Sequence, residues 1–219
     1  MASRSLTDVV GWEAFLHGVF AIAITLLVLD IHVPPVEATE SGAALAQSLM
    51  AGVPRYVAFV LGFGYIGTYW IATHRILRLI RGVDHWFVVL GLIFLMVISA
   101  VPFVTGLLAE YIGQDNGRDQ VAILVFLGWM LILSIMANVL LQYAVYRGRL
   151  LKPGLDRKSL HKFKQLAAAG PLMWVVAIIA TLVVSGTIAL IMIALVLLLF
   201  LQEVPVGEAE GPVETSART

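Results

Sequence analysis

The chain has 219 residues, of which 60% are apolar and only 13% charged, and its mean hydropathy is +0.96. A soluble domain carries about 45–50% apolar and about 25% charged residues, so a water-soluble globule would have nowhere to bury this surface, and disorder is excluded as well. Fourteen basic residues balance 14 acidic ones, which speaks against a nucleic-acid partner, and the lack of cysteine removes disulfides, thiolate metal sites and cysteine nucleophiles.

A helix crosses a bilayer core in about 20 mostly apolar residues. The predicted class is therefore an all-α polytopic membrane protein. The first span is predicted over residues 13–31, stopped by Pro34-Pro35, where helix continuation is blocked. It is not expected to be a cleaved signal peptide. Asp8 and Glu13 precede its apolar run, and the small-x-small triplet Ala44-Leu45-Ala46 lies well beyond it. The second, third and fourth spans are predicted over residues 56–73, 86–108 and 121–146. The last apolar block, 167–201, would reach about 50 Å as one helix, too long for a single crossing. Ser185-Gly186-Thr187 divides it into a fifth span, 167–184, and a sixth, 187–201, with Pro171 expected to begin the fifth. Residues 1–202 then form one six-helix membrane unit, and 203–219 an acidic, Pro- and Gly-containing tail expected to be disordered.

Charge predicts the orientation. Arg75, Arg78 and Arg81 lie between spans two and three, and Arg147, Arg149, Lys152, Arg157, Lys158, Lys162 and Lys164 between four and five. Residues 32–47 hold no Lys or Arg, and the loop between spans three and four holds only Arg118. The positive-inside rule assigns the two basic loops, and with them both termini, to the cytoplasm. Arg55, on the outer side of span two, is expected to reach the interface.

No catalytic pattern is present: no H-E-x-x-H, no G-x-S-x-G and no G-x-x-x-x-G-K. Ser134 and Ser185 have no evident base and are expected to bond the preceding helical turn. No enzyme activity, cofactor or metal is expected. Coupled transporters and pumps carry ionisable groups deep in their spans, and here the middle of every span lacks them. The polar residues that remain are His17 in span one, His74 at the end of span two, and the i, i+4 pair Asn138 and Gln142 on span four. Bonds to neighbouring helices account for all of them. A sharper reading is a proton-sensitive latch of His17 and His74, since imidazole titrates near physiological pH.

On span one, Ile22, Leu26 and Leu29 recur at i, i+4 and i+7 and form one stripe, with Thr25 beside it and Asp30 at its outer end. Almost any apolar helix yields such a stripe, so periodicity alone assigns no function. The residues themselves are more specific. Ala14-Phe15, then Gly18-Val19-Phe20-Ala21-Ile22-Ala23-Ile24-Thr25-Leu26-Leu27-Val28-Leu29-Asp30-Ile31 and Val33-Pro34, resemble the first helix of the bacterial transmembrane protein 175 potassium channels. Tyr65-Ile66-Gly67, Trp70, His74, Asp84, Leu95 to Ser99, Pro102-Phe103 and Thr105 are similar to that family's second and third helices.

The resemblance implies a homotetramer of six-helix subunits in a bacterial plasma membrane, passing potassium ions through a central pore lined by the first helices. Carried over by position, Ile22, Leu26 and Leu29 would be the constriction, with Thr25 and Asp30 as pore-lining polar groups. A ring of such side chains gates by excluding water. A single six-helix chain with no polar lumen cannot conduct, and closed rings of identical subunits are the usual solution. The family's signature of Arg, three residues, then Phe-Ser-Asp reads Gly11, Phe15, Leu16 and His17 here, and its adjacent His pair after the tryptophan is reduced to Thr73 and His74. Trp70, Thr73 and His74 with His17 would then make a replacement interhelical latch. Competing readings are a proton-conducting or transporter variant, a non-conducting membrane scaffold, and a membrane enzyme. Flux that depends steeply on pH, no flux at all, and turnover of a lipid or peptide would be their respective marks.

Overall fold

The computed structural model describes residues 9–36, 41–114, 117–146, 150–153 and 157–183, which are all-α apart from one isolated bridge. The expected sixth span, 187–201, and the tail 203–219 lie outside the described residues. Four helical segments are long and apolar enough to cross a membrane: Val9–Asp30, Val53–Leu79, His85–Tyr111 and Arg118–Tyr146. A shorter apolar stretch covers Ala167–Val183.

Helix α1, Val9–Leu26, tightens into a 3-10 turn over Leu27–Asp30. Helical geometry thus ends a few residues before Pro34-Pro35, with Ile31 already extended at φ −87 and ψ 98. The stretch after it, read from the sequence as a connection, contains a further helix, α2, Gly42–Ala51. Its run of Ala and Leu favours helix, and the Ser41 hydroxyl caps it by accepting from the Ala44 N–H at 3.2 Å. Helix α3, Val53–Leu79, starts with proline in its first turn, where the missing N–H costs nothing.

The third apolar segment is two helices, α4, His85–Ser99, and α5, Val101–Tyr111, separated at Ala100. Pro102 explains the break: it offers no N–H to the Ile98 carbonyl, and its ring collides with that carbonyl if the α-helix runs straight on. Asp84 caps α4 by accepting from the Phe87 N–H at 3.0 Å. The Tyr143 hydroxyl, from the helix Arg118–Tyr146 (α6), donates to both oxygens of the same carboxyl group at 3.0 Å. Asp84 is thereby a buried cap joined to a second helix, and the desolvation of its carboxylate is offset by these donors.

Helix α6 is the packing centre, touching α3, α4, α5 and the helix Arg157–Val183 (α7). Helix α7, Arg157–Val183, begins ten residues before the apolar block, so Pro171 lies inside it and does not begin it. The basic approach, rich in Lys, Leu and Gln, is itself good helix-forming sequence and continues into the apolar part without a stop signal. Asn138 donates across to the Ala167 carbonyl, so one member of the polar pair on α6 ties it to α7.

The two basic loops meet. The Arg81 N–H donates to the Leu150 carbonyl at 2.8 Å and the Lys152 N–H to the Leu79 carbonyl at 2.9 Å, around the bridge Ile80–Leu151. Both loops therefore lie at one end of the bundle. At the start of α3, Arg55 pairs with Glu110 of α5 at 2.7 Å.

Helix α1 packs on α3 and α4 through Trp12, Leu16, Phe20, Ala23 and Leu27. The spacing of these residues is a single helical stripe, and the two sides interlock closely. A Cβ added to Gly91 of α4 would collide with the Trp12 indole, and one added to Gly62 of α3 would stand 3.0 Å from Leu27 and Thr105. Small residues at these positions let the backbones approach, which is how packing stabilises helices where lipid removes the hydrophobic drive between them.

Candidate functional site

Helix α1 has the least cover of the four long segments. Only 28% of its most apolar window is buried, against 39–44% for the others. With one face committed to α3 and α4, the residues about 100° round the helix are left open. Ile22 is 62% exposed, Leu26 41% and Leu29 68%, and Phe15 continues the same ridge toward the helix start. All three residues expected at the constriction thus lie on the outer side of the subunit, and none is locked into its own core. Thr25 lies exposed on the same side, its hydroxyl donating to the Ile22 carbonyl at 2.9 Å. That bond uses the hydroxyl proton and leaves the oxygen lone pairs facing outward as acceptors.

Asp30 takes a different position. Its carboxylate sits directly over Gly106 of α5, where a Cβ would come within 2.8–3.0 Å of the carboxylate atoms. The absence of a side chain at Gly106 makes the seat possible. The carboxylate is turned onto α5 of its own subunit, at the same end as the neighbouring His32, whose Nδ1 lies 3.0 Å from the Asp30 carbonyl.

At the other end of α1, on the flank facing α3, a polar cluster forms. His17 meets Trp70 with ring centroids 5.7 Å apart and His74 at 5.9 Å, and the Trp70 and His74 rings stack at 5.7 Å and 15°. The structure thus brings together three of the four residues of the expected latch. Thr73 stays out of it: it is buried against its own helix, donating to the Tyr69 carbonyl at 2.7 Å. A β-branched hydroxyl inside a helix has the i−4 carbonyl within easy reach, and Thr68, Thr105 and Thr181 do the same. In its place stands Glu13, which the sequence analysis passed over. Its Oε1 lies 3.3 Å from His74 Nδ1 and 3.9 Å from His17 Nε2. The i, i+4 spacing of Glu13 and His17 was a usable signal for that pair. Their convergence with His74, far along the chain, was not visible.

Leu16, where the family signature has serine, is a buried core residue, and His17, where it has aspartate, meets Trp70 and His74 of α3. Between α3, α6 and α7 lies a small cavity of about 70 Å³ bordered by Tyr69, Arg75, Ser134 and Asn138.

Comparison with known proteins places the sequence and the fold among relatives. Residues 12–102 match the family model described as endosomal/lysosomal potassium channel TMEM175. A potassium channel of Chamaesiphon minutus is 40% identical over 165 residues, covering 75% of this chain and 80% of that protein. A potassium channel of Streptomyces collinus is 36% identical over 160 residues, covering 73% and 76%. The crystal structure of a lysosomal potassium-selective channel TMEM175 homologue from Chamaesiphon minutus superposes with a TM-score of 0.76 at 34% identity, covering 86% of this chain and 93% of that one.

Proposed function

The chain belongs to the TMEM175 family of ion channels, not to a family of enzymes, and from that premise we propose that it is a potassium-permeable leak channel of the bacterial plasma membrane. In this reading four copies surround a central axis, each contributing α1. Ile22, Leu26 and Leu29 form stacked apolar rings that close the path by excluding water. The Thr25 hydroxyl oxygens face the path beside them. Asp30 supplies negative charge at the outer mouth, from its seat against Gly106. The observation that supports the reading is the open ridge on α1: Ile22, Leu26 and Leu29, carried over to the constriction by resemblance, are exposed on the outer side of the subunit and lie outside its buried core. A conducting path made from them requires other copies, because one subunit cannot encircle it.

The same reading orients the protein. Both basic loops lie at one end, joined through Ile80 and Leu151, and the positive-inside rule assigns that end to the cytoplasm. Glu13 and His17 meet His74 just before Arg75, so the start of α1 lies at the cytoplasmic end too. A fifth span over 167–184 and a sixth over 187–201 would return the acidic tail, 203–219, to the same side.

The departure from the family signature at Leu16 and His17 bears on gating more than on the path. Of the signature's polar positions on α1, Leu16 lies in the core and His17 on the α3 side, whereas Gly11 is exposed in open space on the same side as Phe15 and Ile22. The deciding experiment is reconstitution of the purified protein in liposomes, with potassium and sodium flux measured separately and the oligomer sized by mass. Potassium flux exceeding sodium flux from a tetramer supports the reading. No flux under any ionic condition would favour a scaffold, and flux carried by protons alone a proton channel.

A further inference from the structure

We infer that Glu13, His17 and His74 form a binding site for a divalent transition-metal ion of the zinc type, bridging α1 and α3 within one subunit. One ligand atom from each of the three side chains lies within 4.8 Å of the other two. Two ligand atoms on a tetrahedral zinc, bonded at about 2.0–2.2 Å, stand roughly 3.3–3.6 Å apart. The observed separations of 3.3 Å and 3.9 Å from the shared Glu13 oxygen therefore need only a small side-chain rotation to meet that geometry.

A second observation points the same way. His17 Nε2 and His74 Nδ1, the two nitrogens turned toward Glu13, are shielded from solvent and have no hydrogen-bond partner. Buried polar atoms are normally satisfied, and Glu13 as it stands satisfies neither imidazole. One metal ion would satisfy both nitrogens and the carboxylate together. The ring planes are already held, because Trp70 stacks on His74 and packs against His17. Fixing ligand orientation in this way is what supporting residues do around known metal sites.

The donor set selects the ion. Two imidazoles and one carboxylate suit zinc, copper, nickel or iron, whereas calcium and magnesium ask for oxygen ligands throughout. Three protein ligands leave a fourth position for water. The side chains are about one-third exposed, so an ion has a way in. Glu13 and His17 lie one turn apart on α1, and His74 comes from 57 residues further along the chain, so no local motif announces the site. The inference does not rest on the channel reading, and its test reads binding, not flux.

The test uses the full-length protein in detergent, stripped with chelator and dialysed against zinc chloride. Elemental analysis should find one zinc per chain, and zinc should raise the melting temperature. His74→Ala and Glu13→Gln should each weaken zinc binding tenfold or more and abolish the shift in melting temperature. A control in which His32, His85 and His161 are all replaced by glutamine should keep both. Cobalt(II) offered to the unmutated protein should give the intense visible absorption of a four-coordinate site, which keeps the inference testable if a variant does not fold. Zinc binding that is absent, that survives both site variants or that disappears in the control would overturn the assignment, as would a six-coordinate cobalt spectrum.

Discussion

The exchange of Ile22 for asparagine separates function from folding on one helix. If four copies of Ile22 ring the axis, the closed state keeps water away from the surface that each subunit now leaves open, which is 62% of the residue's full exposure. Burying a whole isoleucine from water is worth about 1.5–3 kcal/mol, so four partly open copies stabilise the dry state by roughly 4–7 kcal/mol. Moving an equilibrium from mostly closed to mostly open takes about 5.5 kcal/mol, so this one ring has the strength to decide the state of the path. An amide ring is wettable and forfeits most of that term. Ile22→Asn should therefore raise potassium flux in liposomes at least tenfold, which asks for only about 1.4 kcal/mol of the total, and should lower the potassium-to-sodium ratio. The melting temperature should change little, because Ile22 lies mostly outside the subunit's buried core. Leu16→Ala is the counterpart. Its side chain is 2% exposed, and its loss should cost toward the low end of about 2–5 kcal/mol, since lipid and not water lies outside the bundle. It should lower the melting temperature and leave selectivity unchanged. Unaltered flux and selectivity in a tetrameric, normally melting Ile22→Asn protein would refute the placement of Ile22 at the constriction.

Asp30→Asn should lower cation flux modestly at low salt and very little at high salt, because a charge at a mouth acts by concentrating counter-ions. Flux assays across an ionic-strength series check this, and a loss that persists undiminished at high salt would contradict it. His17→Ala should change open probability or melting temperature more than the potassium-to-sodium ratio. His17 meets α3 through its ring contacts with Trp70 and His74 and not through a hydrogen bond, so its loss should bias a gate without setting it. Single-channel recording reads both quantities, and a large selectivity change would move His17 toward the ion path. Gly91→Ala should destabilise by about 1–3 kcal/mol, since the new methyl group meets the Trp12 ring, and pairing it with Trp12→Leu should recover part of the loss in thermal melts.

The linear sequence by itself determined that apolar helices dominate and where charge interrupts them. Apolar run length and loop charge are one-dimensional properties, and Pro34-Pro35, Asp84 and the arginines around Arg78 mark boundaries whatever the helices touch. It also carried the family resemblance, through the run from Gly18 to Ile31 and the positions of Tyr65, Trp70 and His74. Local detail was legible in part. The Ser41 cap and the proline at 102 were both present in the sequence, yet α2 was passed over and the third segment was read as unbroken, since hydropathy outweighs such punctuation in a long apolar run.

Only the tertiary structure decided which side of α1 is inside. A membrane helix is apolar all round, so it lacks the amphipathic contrast that tells a soluble helix which way to face. Packing partners must supply that information: Gly91 accepts Trp12, Gly62 accepts Leu27, and Ile22, Leu26 and Leu29 are left on the open side as a consequence. The same holds for Asp30, whose seat depends on the missing side chain of Gly106, and for Glu13, which meets His74 only because α1 and α3 lie side by side. Contacts between residues far apart in the chain are set by how close two backbones can come, and no stretch of either helix encodes that distance alone.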